Sequence, residues 1–191
     1  MDWGLEWDLR PGAVIAVACG VLLVPLRWLV SVILAAVFHE SCHILALKLA
    51  KRRIRRIIIS ASGTTIETQP LEPGTELLCA LAGPVGSLLL VGVFPSFPEL
   101  AVCGLVHGVW NLLPVYPLDG GRVLRSGLYL IWPERAASIS RIVRLVTASL
   151  LAAAVCFGAI WIPFLRLAAL FGAIRLLVRK NSCNHHPLAV Q

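Results

Sequence analysis

An HExxH pentapeptide lies inside an apolar segment long enough to cross a membrane. It runs from His39 to His43, and mainly aliphatic residues flank it over 31–47. Residues four apart share one face of a helix, so both histidines can offer a ring nitrogen to one zinc ion. Glu40 can then act as a general base toward water at that ion. Because a charged side chain near the bilayer centre costs several kcal/mol, a glutamate there indicates a functional site.

The composition predicts a polytopic, all-α membrane protein. Hydrophobic residues make up 58% of the 191-residue chain, and the mean hydropathy is +0.84. Charged residues make up 14%, whereas a soluble domain has about 25%. Apolar stretches of membrane-spanning length predict six transmembrane helices. Their approximate bounds are 11–26, 28–49, 76–94, 100–113, 142–161 and 163–178.

The ends of the chain and one central segment differ from these spans. The N-terminal residues are acidic, so the first span is expected to be a retained helix and not a cleaved signal. Residues 57–68 are rich in β-branched side chains around a Ser-Gly turn, which predicts a short β-hairpin at the membrane surface. Residues 1–180 are expected to form one membrane domain, followed by a flexible tail over 181–191.

The distribution of positive charge predicts the topology. The net charge is +7. With six spans and a cytoplasmic N-terminus, all of the 17 lysines and arginines except Arg27 and Arg166 fall on the cytoplasmic side. Both termini are therefore expected to be cytoplasmic, with HExxH in the cytoplasmic half of a cell membrane. The basic residues cluster at the ends of the spans, for example over residues 51–56, where they can contact anionic lipid head groups. No basic face interleaves with aromatics, so nucleic acid is not an expected partner.

Asp119 is the best candidate for a third metal ligand. A catalytic zinc site needs three protein ligands and an open position for water, and HExxH supplies two ligands. Of the ten acidic residues, Glu40 and Asp119 are the two at or near membrane depth. Asp119 follows prolines that break the fourth span, so the backbone there must line a cavity or be buried in protein.

Two separated motifs resemble the site-2 protease family of intramembrane zinc metalloproteases. One is HExxH in the second span; the other is NLLPVYPLDGGR over residues 111–122. The resemblance is strongest to the stage IV sporulation protein FB branch, which has a similar proline-rich run. That branch also has a basic stretch leading into a Gly-Thr hairpin and an Ala-Gly-Pro in the third span, here residues 82–84. The resemblance covers about residues 10–180.

The resemblance implies a role for each matching position. His39, His43 and Asp119 would bind zinc. Glu40 would activate water and later pass a proton to the leaving amine. Asn111 matches a family asparagine that holds substrate or polarises the scissile carbonyl, which agrees with the use of amide donors to stabilise an oxyanion.

The resemblance also implies partners. They are a membrane-tethered protein substrate, of which a sigma-factor precursor in a sporulating bacterium is one example, and inhibitory membrane proteins. Many members have an asparagine after Gly-Pro in the third span, where Ser87 is the matching position. The sporulation branch usually carries a C-terminal regulatory CBS domain. These 191 residues do not include such a domain, so nucleotide-linked regulation is not among the properties expected from them.

Two other functional classes stay open from the sequence. One is a catalytically silent relative acting as a membrane scaffold, which the intact ligand motifs and Glu40 disfavour. The other is a metal transporter, which should show further polar residues along the spans. His107 shares a helical face with Asn111, and both a packing role and a supporting role at the metal are open. The sequence does not indicate the oligomeric state.

Overall fold

A computed structural model describes residues 6–61, 63–93 and 96–161. The chain divides into two units, the first ending at Arg144 and the second beginning at Leu145, within the last described helix. The elements in chain order are β1 (Glu6–Leu9), α1 (Pro11–Leu23), α2 (Leu26–Leu49), β2 (Ile54–Ser60), β3 (Gly63–Thr68), α3 (Pro73–Val93), α4 (Pro98–Asn111), α5 (Asp119–Ile131) and α6 (Pro133–Trp161).

Helix α2 carries HExxH and buries a single face. Its buried residues recur at intervals of four and are Ala35, His39, His43 and Leu47. This spacing places all four on one face of the helix. Many of its other apolar side chains are exposed, as expected for a helix whose remaining surface faces lipid. The two motif histidines therefore point toward the interior of the protein.

Helix α3 lies at the centre of the first unit. It packs against α2, α4 and α5. Ala35 of α2, Leu90 of α3 and Cys103 of α4 form a small buried cluster, against which Leu100 also packs. Pro84 lies inside α3, where membrane helices tolerate proline because neighbouring groups satisfy the freed backbone. The central position of α3 brings it beside the buried face of α2.

Three short strands form a sheet in the order β1-β2-β3. The β2–β3 pair is antiparallel and confirms the predicted hairpin. Gly63, with φ of 115°, begins β3 in a backbone conformation that favours glycine. Strand β1 lies parallel to β2 and was not predicted. The central strand is therefore β2, and β3 forms an edge that pairs with no other strand in the described part of the chain.

A charged pair joins β1 to β2. Arg56 donates hydrogen bonds from Nε and Nη2 to one carboxylate oxygen of Glu6, at 2.9 and 2.6 Å. These hydrogen bonds raise the pKa of the Arg56 guanidinium above its ordinary value. Both side chains are exposed, so the pair specifies the register of the strands more than it stabilises the fold.

The described residues contain three helices long and apolar enough to cross a membrane. They are α2, residues Pro73–Gly92 of α3 and residues Pro133–Phe157 of α6. Helix α1 is apolar but has 13 residues, and α4 has 14. The mainly helical fold class with a small sheet is confirmed, whereas the count of six spans stays a prediction. The predicted sixth span and the tail 181–191 lie outside the described residues.

Helix α5 is an element that the sequence reasoning missed. The prolines after the fourth predicted span indicate a break in the chain, and the sequence predicts no helix before residue 142, but a 13-residue helix begins at Asp119. Its amphipathic mixture of arginines, glycines and aliphatic residues differs from the apolar runs used to identify spans. The predicted fifth span also begins earlier than expected, at Pro133.

Candidate metal centre

Three potential ligand atoms from distant parts of the sequence converge in the first unit. The Nε2 atoms of His39 and His43 lie 3.1 Å apart, and each lies 3.0 Å from Oδ2 of Asp119. All three residues are buried. Ligands bound tetrahedrally at about 2.1 Å from zinc would be about 3.4 Å apart, so a small outward movement would accommodate the ion. Two imidazoles and one carboxylate form a donor set typical of catalytic zinc.

The fold explains why these side chains meet. His39 and His43 lie on the buried face of α2. Asp119 is the first residue of α5, where the positive end of the helix dipole favours a carboxylate. Packing of both helices against α3 brings the two motifs together across 80 positions of sequence. The structure thus unites the three residues that the sequence proposed as ligands.

Each histidine is oriented by a contact from its other ring nitrogen. Nδ1 of His43 donates to the carbonyl oxygen of Cys79 at 2.7 Å. A carbonyl oxygen can only accept, so Nδ1 carries the hydrogen and Nε2 of the neutral ring keeps its lone pair for a metal. Nδ1 of His39 lies 2.9 Å from Oγ of Ser87, which can accept in the same way. Both rings therefore present Nε2 toward Asp119.

Gly83 allows α3 to approach the two histidines closely. A Cβ atom at this position would overlap Nε2 of both His39 and His43. The residue is therefore glycine for a reason of space, and any larger side chain would displace the rings. Along α3, Cys79, Gly83 and Ser87 recur every fourth residue and so share one face, which lies against the paired histidines.

Asp119 also has an outer partner. Nη1 of Arg122, one turn later on α5, lies 3.7 Å from Oδ1 of Asp119. Nε of the same arginine lies 3.7 Å from a carboxylate oxygen of Glu76 on α3. The carboxylate of Asp119 thus has one oxygen beside the histidines and the other beside a guanidinium. Each proposed ligand thus has a second polar atom, directed away from the cluster, that contacts a neighbouring group.

Glu40 is placed beside the cluster but is not part of it. Its side chain is half-buried and interacts electrostatically with His43, Asp119 and Arg122. The cluster of potential ligands found among the described residues contains the two histidines and Asp119 only. This arrangement fits a carboxylate that handles protons next to a metal.

Helix α4 carries two further residues that the sequence singled out, and one of them contacts the cluster. The ring of His107 contacts that of His39 edge to face, with the centroids 4.6 Å apart. His107 therefore packs directly on the ring of a proposed metal ligand. The side-chain amide of Asn111 donates to the backbone carbonyl of His107 at 3.0 Å. The amide of Asn111, one turn further along α4, is thus engaged with the backbone of its own helix.

Glycine in the PLDGG run has a structural reason. A Cβ atom at Gly120 would overlap the backbone of Leu112 and Leu113, which belong to the turn after α4. The first turn of α5 can pack against that segment only without a side chain at this position. The close packing fixes Asp119 at the entrance of the helix, where it reaches the histidines.

Comparison with solved structures identifies this arrangement of helices. No family model matches the chain. The structure of the site-2 protease from Methanocaldococcus jannaschii superimposes with a TM-score of 0.64 at 20% sequence identity, covering 90% of this chain and 88% of that one. The chain has the site-2 protease fold. The resemblance predicted from HExxH and PLDGG is confirmed.

Proteins related to this chain in sequence include a zinc metalloprotease and a stage IV sporulation protein. A zinc metalloprotease of M. jannaschii is 30% identical over 131 residues, covering 59% of this chain and 39% of that protein. The stage IV sporulation protein FB of Bacillus subtilis is 27% identical over 140 residues, covering 65% of this chain and 48% of that protein. The chain thus spans less than half the length of these two relatives.

Three residues at the site were missed or left without a role by sequence reasoning. Ser87 was named only as the position of a family asparagine, and its contact with His39 gives it a role. Arg122 ends the proline-rich motif and was grouped with the basic residues expected on the cytoplasmic side, and Glu76 was given no role. The spacing of three between Asp119 and Arg122 was a signal for that pair, but nothing local connected Glu76 to either residue.

Proposed function

We propose that this protein is an intramembrane zinc metalloprotease. It would hydrolyse a peptide bond in or next to a transmembrane segment of a membrane-tethered protein. The observation that carries the proposal is the buried triangle of His39, His43 and Asp119, with Glu40 beside it, where the exposed surface of the motif helix α2 is mainly apolar. The site-2 protease fold and the names of the relatives support the same activity.

Each residue of the site would have a separate task. His39, His43 and Asp119 would hold zinc, which supplies Lewis-acid chemistry and lowers the pKa of a water molecule to about 7. Glu40 would accept the proton of the attacking water and deliver it to the leaving nitrogen. Asn111 would donate its amide to the substrate carbonyl, exchanging its bond to the His107 backbone for one to the substrate.

The site would lie near the cytoplasmic face of a cell membrane, with the protein crossing several times and both termini in the cytoplasm. The support is the run of basic residues that follows α2 only a few positions after the HExxH motif. Lys48, Lys51, Arg53 and Arg55 are exposed there. Cysteine accessibility on either side of the membrane, with Leu49→Cys as the reporter, tests this orientation.

The substrate would have to be extended at the scissile bond, because a helix hides its peptide groups. Edge strand β3 could pair with such a segment through its free backbone groups. Proline can be placed at Thr64 and Ile66 in one variant, and at Thr65 and Glu67 in another. One set removes hydrogen bonds to β2 and the other removes outward N–H groups. Loss of cleavage in the variant that lacks the outward N–H groups, with zinc binding and fold retained, supports pairing. Unchanged cleavage by that variant in its folded form refutes it.

The first experiment measures zinc per chain in detergent for wild type, Asp119→Ala and Glu40→Gln. We expect one zinc in wild type and Glu40→Gln, and loss in Asp119→Ala. Cleavage is then measured on membrane-tethered substrates, beginning with the sigma-factor precursor that the resemblance implied. Cleavage by wild type and none by Glu40→Gln supports the proposal. Absence of zinc from wild type, or full retention in Asp119→Ala, would overturn the ligand assignment.

The buried polar residues, together with assays of zinc flux and proteolysis, separate the protease from the two alternative classes. Among the described residues, the buried polar side chains are His39, His43, Ser87, Asp119 and Ser126. The first four form one cluster and do not extend as a path through the bilayer, which favours a fixed metal over transport. Zinc flux into liposomes without proteolysis would indicate a transporter. Zinc binding with neither flux nor proteolysis would indicate a scaffold.

A further inference from the structure

The two oxygens of Asp119 face different partners. Oδ2 lies 3.0 Å from both histidine Nε2 atoms, and Oδ1 lies 3.7 Å from Nη1 of Arg122. The side chain of Asp119 is 10% exposed and that of Arg122 is 31% exposed. At this depth, charges are screened much less than on an open surface. The guanidinium therefore acts on one particular oxygen of the carboxylate.

Arg122 is itself held from a second helix. Its Nε lies 3.7 Å from Oε1 of Glu76, whose side chain is 26% exposed. Glu76 is in the first turn of α3, and Arg122 is in the first turn of α5. The chain of charges Glu76–Arg122–Asp119 thus connects the central helix to the proposed third ligand. Because the planar guanidinium presents several donors in a fixed geometry, it can serve both carboxylates at once.

We infer that Arg122, held by Glu76, is a positioning residue that keeps Asp119 a one-oxygen ligand of the metal. This inference rests on the proposed function. A carboxylate can bind a metal through one oxygen or through both. Attraction of Oδ1 to Arg122 opposes the rotation that would bring both oxygens to the ion. The remaining coordination position then stays available to water and to the substrate carbonyl, as a catalytic zinc site requires.

The test uses two measurements on purified protein in detergent that do not depend on activity. One is zinc affinity, from competition with a chelator; the other is the visible spectrum of the Co²⁺-substituted protein, whose intensity falls when a fifth ligand atom is added. Arg122→Gln is expected to weaken zinc binding about 10- to 100-fold, as for other outer partners of metal ligands. Its cobalt bands should also weaken. Arg122→Lys should retain part of both properties.

Matched variants separate this role from a general effect of charge. Glu76→Gln should change both measurements in the same direction as Arg122→Gln but by less, because the arginine remains. Arg125→Gln removes an exposed arginine from the same helix, where it packs over the ring of Tyr129. It should match wild type in both measurements.

The inference is overturned if Arg122→Gln binds zinc with wild-type affinity and shows an unchanged cobalt spectrum. If that variant does not fold, Arg122→Lys and Glu76→Gln decide the question, and wild-type values for both overturn it. The proposed function fails separately, when zinc-loaded wild type cleaves no membrane-tethered protein. In that case the affinity and cobalt data still establish or refute the role of Arg122.

Discussion

Replacement of Ser87 by alanine should weaken metal binding without removing a ligand. Ser87 is fully buried, and its hydroxyl lies 2.9 Å from Nδ1 of His39, which is 1% exposed. Water therefore has little access to that nitrogen once the hydroxyl is gone. An unsatisfied buried donor costs about 1–3 kcal/mol. Since about 1.4 kcal/mol corresponds to tenfold, zinc affinity should fall roughly 5- to 150-fold if the cost falls on the oriented, metal-binding ring.

Ser126→Ala is the matched control for this variant. Ser126 is also buried in the first unit, but its Oγ has no hydrogen-bond partner. Removing that hydroxyl should leave zinc affinity unchanged and leave stability equal or slightly higher. Chelator competition in detergent gives the affinities, and thermal unfolding of the zinc-free proteins gives the stabilities. Equal zinc affinities for Ser87→Ala and Ser126→Ala would refute the orienting role of Ser87.

Three other outcomes follow from the structure. Gly83→Ala should abolish zinc binding, because its methyl group would overlap the Nε2 atoms of both histidines. Gly92→Ala, whose added methyl group meets open space, is its control. Zinc retained by Gly83→Ala would contradict the close approach of α3 to the histidines. Removal of metal by a chelator should end proteolysis, and added Zn²⁺ should restore it in wild type but produce none in Glu40→Gln. A gel assay with a membrane-tethered substrate measures the cleavage. Activity that survives full metal removal would exclude a metal mechanism. Glu6→Gln should leave the thermal unfolding midpoint almost unchanged, because the pair with Arg56 is exposed, and a shift of many degrees would mean that β1 contributes more than its exposure indicates.

The sequence predicted the parts of this protein that local patterns specify. Hydropathy located α2 and α3 to within a few residues, because the membrane-spanning signal is long and continuous. The HExxH spacing fixed two of the three proposed ligands, and the scarcity of acids at membrane depth pointed to Asp119. The turn residues near Gly63 located the hairpin. Each of these signals comes from neighbouring residues or from simple composition.

The missed features depend on contacts between distant residues. Strand β1 has four residues, and its partner β2 begins at Ile54, so no local pattern could pair them. Helix α5 was hidden because its arginines and glycines do not form an apolar run. The roles of Ser87 and Arg122 arise only when α3 packs against α2 and α5. Such contacts are properties of the assembled helices and not of any single segment.

The stripe of Cys79, Gly83 and Ser87 on α3 makes different chemical demands on its three positions. At Cys79 the contact with His43 comes from the backbone, so the side chain there is limited by the volume available to it and not by its chemistry. At Gly83 no side chain fits, and at Ser87 a small hydrogen-bonding group is needed. A screen of all substitutions should therefore give three different results at positions four residues apart. Position 79 should accept small apolar residues, position 83 should accept no larger side chain, and position 87 should accept only small hydrogen-bonding residues.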